Sequence, residues 1–262
     1  MEDTLNAEAI RRGLGTDWLG RRIEVKAQTG STNDDGVALA RAGKPAGTVV
    51  VADHQTAGRG RRGRSWLAPP GTALLLSVVL RPDLPARAAG RLGLAAALSA
   101  ADAIRGACGL APVVKYPNDV LLEGRKVCGV LTEAHLSGGR VAWAVIGIGI
   151  NVRRESVPPE LAAHATSLEA HAAPPARNNL ARALLASLET YLVRAADDPE
   201  ALAAEWRDLD TVRGRQVSVA FGATRLEGFA ADVDEDGRLL LRLPDGREER
   251  LSPEDVSFRG FS

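Results

Sequence analysis

The chain has 262 residues, enough to bury a substantial core in one large domain with one small companion. Its 33 Lys and Arg residues balance its 33 Asp and Glu residues, which excludes strong non-specific attraction to nucleic acid or to an anionic membrane. Only two cysteines occur, Cys108 and Cys128, without metal-ligand spacing, and the N-terminus has no signal-peptide pattern, so we predict reduced thiols and a cytoplasmic location.

The first elements predicted along the chain are a short helix over residues 4–12, a strand over 22–28 and a helix over 34–41. Ser31-Thr32-Asn33 joins this strand to this helix. Such a sequence commonly caps a helix. Its hydroxyl and amide groups at a positive helix end also suit recognition of a polar, urea-like head group. The residues alone leave both interpretations open.

A Val-rich strand over residues 48–54 leads into Gln55 and the loop Gly58-Arg59-Gly60-Arg61-Arg62-Gly63-Arg64, which Trp66 closes. Glycines give the backbone access to left-handed conformations, and guanidinium groups bind phosphate or carboxylate. The spacing fits neither a P-loop nor a dinucleotide fingerprint. A nucleic-acid-binding Gly/Arg segment is the alternative to a small-molecule anion loop, and composition does not separate them. Trp66 suits either packing or stacking on adenine.

The next predicted elements are a strand over residues 72–81, an Ala-rich helix over 87–107 and two short strands over 113–115 and 120–122. The apolar run 92–110 contains Asp102 and Arg105, so we do not expect it to span a membrane. Asn118 and Asp119 lie in the turn between the short strands, and the carboxylate of Asp119 is a hard ligand suited to Mg²⁺.

Residues 126–134 alternate as a strand, which predicts Lys126 on one face and Gly129 with Leu131 on the other. A Lys at the start of a hairpin strand is commonly a solvated charge. A further strand over 141–152 carries Gly149 and Asn151 near its end. Small residues on a strand leave room for a ligand.

The C-terminal part begins with helices over residues 178–196 and 199–208, and short alternating strands follow over 217–221, 225–233, 239–243 and 247–251. This change of pattern predicts two domains, residues 1–210 and residues 211–262.

Four motifs in this order resemble the biotin protein ligases: Ser31-Thr32-Asn33, the Gly/Arg loop, Lys115-Tyr116-Pro117-Asn118-Asp119 and the segment 124–133. The similarity runs from about Gln28 to Asn151 and continues more weakly from about Gly214. Tyr116 departs from the family, which usually has Trp there. The resemblance implies an α+β fold, with a mixed β-sheet catalytic domain of the biotin/lipoate ligase type plus a small C-terminal SH3-like β-barrel. Residues 4–12 are too short for a winged helix, so the monofunctional type without an N-terminal DNA-binding domain is expected.

The resemblance also implies the reaction: ATP and biotin form biotinyl-5′-AMP, and biotin then passes to a lysine of a biotin carboxyl carrier protein domain of acyl-CoA carboxylase. Mg²⁺ is the implied cofactor, with Asp119 as its ligand, and Lys126 and Arg61 are the implied catalytic residues. The implied biotin contacts are Ser31, Thr32, Asn33, Gln55, Arg59, Gly60, Arg61, Lys126, Gly129, Leu131 and Gly149. The implied ATP and adenylate contacts are Arg59, Arg61, Arg62, Arg64, Trp66, Asn118 and Asn151.

We expect a monomer or homodimer that binds neither DNA nor membranes. A lipoate or octanoate transferase of the same fold is one alternative, and the full arginine loop argues against it. A nucleic-acid-binding regulator is the other, and the zero net charge argues against that.

Overall fold

The structure, a computed structural model, describes residues 3–221 and 224–261. Residues 1–2 and 262, the ends of the two predicted domains, lie outside the described residues. The helices are α1 (Ala7–Arg11), α2 (Thr32–Arg41), α3 (Gly90–Cys108), α4 (Arg177–Asp197) and α5 (Pro199–Leu209). None of the helices in these described ranges is long and apolar enough to cross a membrane.

A seven-stranded sheet forms the larger domain. Its strands are β1 (Arg22–Thr29), β2 (Thr48–Gln55), β3 (Ala73–Leu80), β4 (Val113–Lys115), β5 (Asp119–Leu122), β6 (Arg125–Ser137) and β7 (Arg140–Asn151). The spatial order is β1-β2-β3-β7-β6-β5-β4. Only the β1–β2 pair is parallel, and the others are antiparallel, so the sheet is mixed, as predicted.

Helices cover both faces of this sheet, which explains why β3 is buried along its whole length. Val78 belongs to the main core with the apolar face of α3, whereas Val79 packs with Ala40 of α2 in a separate cluster. Helix α3 ends at Cys108, and its C-cap residue Gly109 has a left-handed φ of 66°, which glycine adopts without the steric cost of a Cβ. The central strands are thus packed on both faces, and the candidate site is built on those strands.

The smaller domain is a five-stranded antiparallel sheet of β8 (Gln216–Phe221), β9 (Thr224–Val233), β10 (Leu239–Arg242), β11 (Glu248–Leu251) and β12 (Ser257–Phe261). Its order is β11-β10-β9-β8-β12. Apolar side chains of this sheet share one continuous core with the larger domain. The predicted fold class, an α+β domain with a mixed sheet and a small C-terminal β domain, is confirmed. The division at residues 210 and 211 stays a prediction.

Candidate functional site

A cavity of about 440 Å³ lies beside β6 and β7, within the size range of small-molecule sites. Of the residues predicted for the site, fifteen line it: Ser31, Thr32, Asn33, Gln55, Arg59, Gly60, Arg61, Arg64, Trp66, Asn118, Lys126, Gly129, Leu131, Gly149 and Asn151. Arg62 and Asp119 are not part of the lining. Motifs from distant parts of the sequence therefore meet at one cavity.

The polar floor of the cavity comes from the start of α2. Ser31 is the N-cap residue, but its side chain makes no capping hydrogen bond. The backbone N–H and the hydroxyl of Thr32 instead both donate to Gln55 Oε1, at 2.7 and 2.9 Å. The local structure therefore directs this motif into a network with β2 rather than into a side-chain cap.

Asn33 is held by two residues that the sequence analysis did not identify. Ser77 Oγ donates to Asn33 Oδ1 at 2.8 Å, and Asn33 Nδ2 donates to Glu133 Oε2 at 2.8 Å. Gly147 leaves the space for this side chain, because a Cβ there would lie 2.0 Å from Asn33 Oδ1. Ser77 could have been found from the sequence, since it is the one polar residue of the strand ALLLSVVL.

The Gly/Arg loop forms a small hairpin of its own. Trp66 N donates to Gly58 O at 2.9 Å, and Gly60 N donates to Arg64 O at 2.7 Å. Gly58 is required by close packing, since a Cβ there would lie 2.3 Å from Trp66 O. The turn of the hairpin is left-handed at Arg62 and Gly63, with φ of 56° and 72°. This backbone presents the arginine side chains in different directions.

The four loop arginines have different partners in this structure. Arg59 pairs with Asp34 at 2.7 Å and with Glu133 at 2.5 Å. Arg61 Nη1 donates to Asn118 Oδ1 at 3.1 Å, and Arg64 Nε donates to Arg61 O at 3.4 Å. Burial lowers the pKa of the Arg61 guanidinium below its ordinary value.

Two of these arginines also join the loop to the smaller domain. Arg61 Nη2 donates to Pro253 O and, at 3.1 Å, to Val256 O. Arg62 Nη2 donates to Asp255 O at 2.8 Å. The far end of the loop is therefore attached to the turn between β11 and β12 of the smaller domain, whereas Arg59 attaches the near end to the larger domain.

Gly129 and Gly149 form a slot, because they are direct partners across β6 and β7. The Trp66 indole lies over both: a Cβ at residue 129 would be 2.9 Å from Trp66 Cζ3, and one at residue 149 would be 2.7 Å from Cε2. Trp66 Nε1 is buried and has no hydrogen-bond partner among the described residues. A flat apolar ligand could enter this slot in two ways: by stacking on the indole, or by displacing it.

The predicted alternation of β6 is wrong at its start. Val120 pairs with Cys128, but the next residue, Leu121, pairs with Lys126, so Val127 is an extra residue in β6. Such a β-bulge changes the face on which the following side chains lie. Lys126 and Gly129 consequently face the same cavity, and Lys126 Nζ would be 2.9 Å from a Cβ at residue 129.

Lys126 carries its charge at the edge of this slot. Its Nζ lies 5.6 Å from the centroid of the Trp66 ring and 2.6 Å from Asp119 Oδ1. This contact has the distance of an ion pair without the angles of a hydrogen bond. The described residues contain no group of three or more His, Cys, Asp or Glu side chains able to hold a metal ion.

Asn118 and Asn151 already have partners within the protein. Asn118 Nδ2 donates to Val130 O at 2.6 Å, and Asn151 Nδ2 donates to Thr166 O at 3.0 Å. These bonds fix both amides at the border of the cavity.

Comparison with known proteins gives two family matches. Residues 19–151 match the model of the Biotin/lipoate A/B protein ligase family, and residues 213–259 match that of the Biotin protein ligase C terminal domain. The chain is 39% identical over 251 residues to the biotin--[acetyl-CoA-carboxylase] ligase of Mycobacterium tuberculosis, covering 93% of this chain and 91% of that protein. It is 35% identical over 246 residues to the enzyme of the same name from Paracoccus denitrificans, covering 85% and 95%.

Among solved structures, the biotin protein ligase from Aquifex aeolicus in complex with biotin and ATP is similar with a TM-score of 0.76 and 27% identity. The match covers 91% of this chain and 99% of that one. The likeness therefore extends over both sheets.

Proposed function

The chain belongs to the Biotin/lipoate A/B protein ligase family, and from this premise we propose that it is a biotin–protein ligase. It activates biotin with ATP to biotinyl-5′-AMP and then transfers biotin to a lysine of a carrier protein. The relatives from Mycobacterium tuberculosis and Paracoccus denitrificans carry names for this activity.

One observation carries the proposal: a single cavity combines the polar floor at Thr32 and Asn33, the slot at Gly129 and Gly149, and the cation Lys126. Adenylation brings a carboxylate to the α-phosphate of a polyanion. That approach is repulsive unless cations are arranged around both groups. The reaction needs no covalent nucleophile on the protein.

The residues divide by their chemistry. The hydroxyl and amide groups of Ser31, Thr32, Asn33 and Gln55 suit the polar head of biotin. Gly129, Leu131 and Gly149 line the slot that would take its rings once the Trp66 indole moves aside. Lys126, with Arg61, stands where the biotin carboxylate would meet the α-phosphate. Trp66, Arg64, Asn118 and Asn151 border the space that remains for the nucleotide, and we assign Arg59 and Gly60 to the biotin side.

Asp119 is the residue that we propose would hold Mg²⁺. Magnesium in nucleotide sites is commonly bound through one or two carboxylates, with the substrate phosphates completing its shell, so a larger acidic cluster is not required. Asp119 Oδ1 is buried and receives no hydrogen bond within the described part of the chain. It therefore fits a cation once Lys126 turns towards the substrates. The ion would neutralise phosphate charge.

Arg62 is the least direct of the predicted nucleotide contacts. Its guanidinium donates to Asp255 O and lies outside the cavity lining. We propose that it acts on ATP indirectly, by fixing the loop against the smaller domain.

The carrier is proposed from the names of the relatives, which specify acetyl-CoA carboxylase. The acceptor is then a lysine of a biotin carboxyl carrier domain of an acyl-CoA carboxylase, in the cytoplasm. We also propose that the ligase is a monomer or a homodimer.

The deciding experiment is the exchange of labelled pyrophosphate into ATP by the purified protein without carrier. Exchange should require biotin and Mg²⁺ and should be negligible with lipoate or octanoate. Equal exchange with lipoate, or none with biotin, contradicts the proposal. Adding a carrier domain should then give a product heavier by one biotin, and the Lys→Arg variant of the acceptor should not react.

A further inference from the structure

We propose that Glu133 is a positioning residue that sets the affinity for biotin by holding Asn33 and Arg59 in one arrangement. This inference rests on the proposed function. Glu133 lies on β6, two residues after Leu131, and its side chain is 32% exposed. One of its oxygens, Oε2, accepts from Asn33 Nδ2 at 2.8 Å and from Arg59 Nη2 at 2.5 Å. It thereby joins the start of α2 to the start of the Gly/Arg loop.

The first step concerns the amide of Asn33. Its Nδ2 faces two acceptors, Glu133 Oε2 and Leu131 O, and its Oδ1 faces the hydroxyl of Ser77. A reversed amide would place an oxygen against a carboxylate and a carbonyl, which is unfavourable in a buried site. Asn33 is 4% exposed. Glu133 therefore selects one of the two amide orientations that the cavity presents to a ligand.

Close packing also restricts the Asn33 side chain. Gly147 lies directly against the Asn33 side chain, because a Cβ there would be 2.0 Å from Oδ1. Asn33 is thus packed on one side and hydrogen-bonded on the others. Loss of the carboxylate would leave a buried N–H₂ group with only the longer bond, 3.3 Å, to Leu131 O.

The second step concerns Arg59, which lies between two carboxylates. Asp34 pairs with it at 2.7 Å with a side chain that is 60% exposed. Glu133 pairs at 2.5 Å and is 32% exposed, so its interaction is screened less by solvent. Asp34 shares the arginine with Glu133, but within the described part of the chain its side chain makes no hydrogen bond with the Asn33 amide, which makes it a matched control for charge.

The test measures biotin KM and kcat in pyrophosphate exchange for Glu133→Ala, Glu133→Gln and Asp34→Asn. Glu133→Ala removes both bonds, so biotin KM should rise tenfold or more, the loss expected for a hydrogen bond to a charged group. Glu133→Gln retains one acceptor oxygen for Asn33 and should rescue KM in part. Asp34→Asn should stay within about threefold of wild type, as expected for an exposed pair. The kcat values should stay within about threefold, because Glu133 lies away from the proposed reacting groups.

A double-variant comparison separates positioning from a general loss of structure. If Glu133 acts through Asn33, adding Glu133→Ala to Asn33→Ala should raise KM much less than it does in the wild-type background. A melting temperature and calorimetric titration with biotin alone accompany each variant. If Glu133→Ala does not fold, the biotin KM of Glu133→Gln compared with that of Asp34→Asn still tests the inference.

Three outcomes would overturn the inference: an unchanged KM in the folded Glu133 variants, equal effects of Glu133→Gln and Asp34→Asn, or a fall in kcat with KM constant. Failure of the proposed function itself is distinguishable, because wild type would then show no biotin-dependent exchange.

Discussion

The indole of Trp66 lies directly against the backbone of Gly149, where a Cβ would come within 2.7 Å of Cε2. Gly149 is paired with Gly129 across the two strands, and that residue contacts the same indole. The Trp66 side chain therefore depends on glycine at both positions. The width of the slot is set by two residues that have no side chain.

Gly149→Ala should accordingly impair catalysis more than folding. The added methyl group would push the indole away or narrow the slot, and we expect adenylate formation to fall at least tenfold. Stability should change by less than the roughly 1–3 kcal/mol of an overpacked core, since Trp66 lies on a loop and can move. Single-turnover adenylation and urea unfolding measure the two effects.

Gly106→Ala is the matched control. Gly106 lies in α3 with open space around its Cβ position, so alanine should stabilise the helix by roughly 0.5–1 kcal/mol and leave the rate unchanged. An adenylation rate for Gly149→Ala within twofold of wild type would refute the importance of the slot.

A second prediction concerns the contact between the two domains. Arg91 of α3 and Asp236 of the smaller domain pair at 2.9 Å, with side chains only 9% and 6% exposed. Asp236→Ala would leave the buried guanidinium without this charge, a loss that typically costs about 3–5 kcal/mol. Arg91→Met combined with Asp236→Leu should recover part of the lost stability, because neither charge of this pair then stays buried. Urea unfolding of the single and double variants measures this coupling.

The control for that pair is Glu227→Ala, because Glu227 pairs with Arg225 at side-chain exposures of 68% and 64%. It should change stability by less than about 1 kcal/mol. A similar small value for Asp236→Ala would mean that the domain contact does not depend on the buried pair.

The sequence predicts those parts of the site that depend on local chemistry. The Gly/Arg loop is recognisable from its composition, and the Thr32-Asn33 pair from its place between a strand and a helix. The bulge at Val127 could not be predicted from a two-residue period, because it arises from pairing with β5. Sequence alternation therefore placed Lys126 on the wrong face relative to Gly129.

The partners of Arg61 could not be predicted either. Apart from the Asn118 side chain, they are the backbone carbonyls of Pro253 and Val256, 192 and 195 residues away. A carbonyl has the same chemistry at every position, so no residue type marks it. Ser77 was detectable as a polar residue in an apolar strand, whereas Glu133 looks like an ordinary alternating strand residue until Asn33 and Arg59 are placed beside it.

A third prediction concerns alkaline pH. Tyr116 is 1% exposed, and its hydroxyl donates to Gly237 O and Leu251 O of the smaller domain. Burial raises the pKa of the Tyr116 phenol well above 10.0. The folded state thus keeps a proton that the unfolded state loses near pH 10. The stability that Tyr116 contributes is complete below that pH and falls by about 1.4 kcal/mol per pH unit as pH rises above it.

Tyr116→Phe should therefore be less stable at pH 8 by about 1 kcal/mol for the lost hydrogen bond, but should lose less stability between pH 10 and 11. The chain has two tyrosines, so in Tyr191→Phe the ultraviolet titration reports Tyr116 alone. We expect no ionisation until the protein unfolds. A reversible titration near pH 10 in the folded variant would show that the phenol is not protected.

The last prediction concerns Lys126, whose ammonium lies 2.6 Å from Asp119 and at the slot formed by Gly129. If it is only a hairpin charge, Lys126→Ala should change little, as exposed substitutions usually stay within about 0.5 kcal/mol. If it neutralises charge between the biotin carboxylate and the α-phosphate, its loss should cost on the order of 3 kcal/mol, or roughly a hundredfold in adenylation rate. Single-turnover formation of biotinyl-5′-AMP measures the difference.

Lys126→Arg should restore only part of the rate. A planar guanidinium is larger than an ammonium. Because Lys126 Nζ would already lie 2.9 Å from a Cβ at residue 129, the guanidinium of Arg has little space at this point of the slot. Lys44→Ala, at an exposed position between α2 and β2, controls for the loss of one positive charge and should leave the rate unchanged. Melting temperatures should agree within a few degrees across the set, because Lys126 is 30% exposed. A Lys126→Ala rate within twofold of wild type, or full activity in Lys126→Arg, would show that the ammonium does not take the proposed part in the reaction.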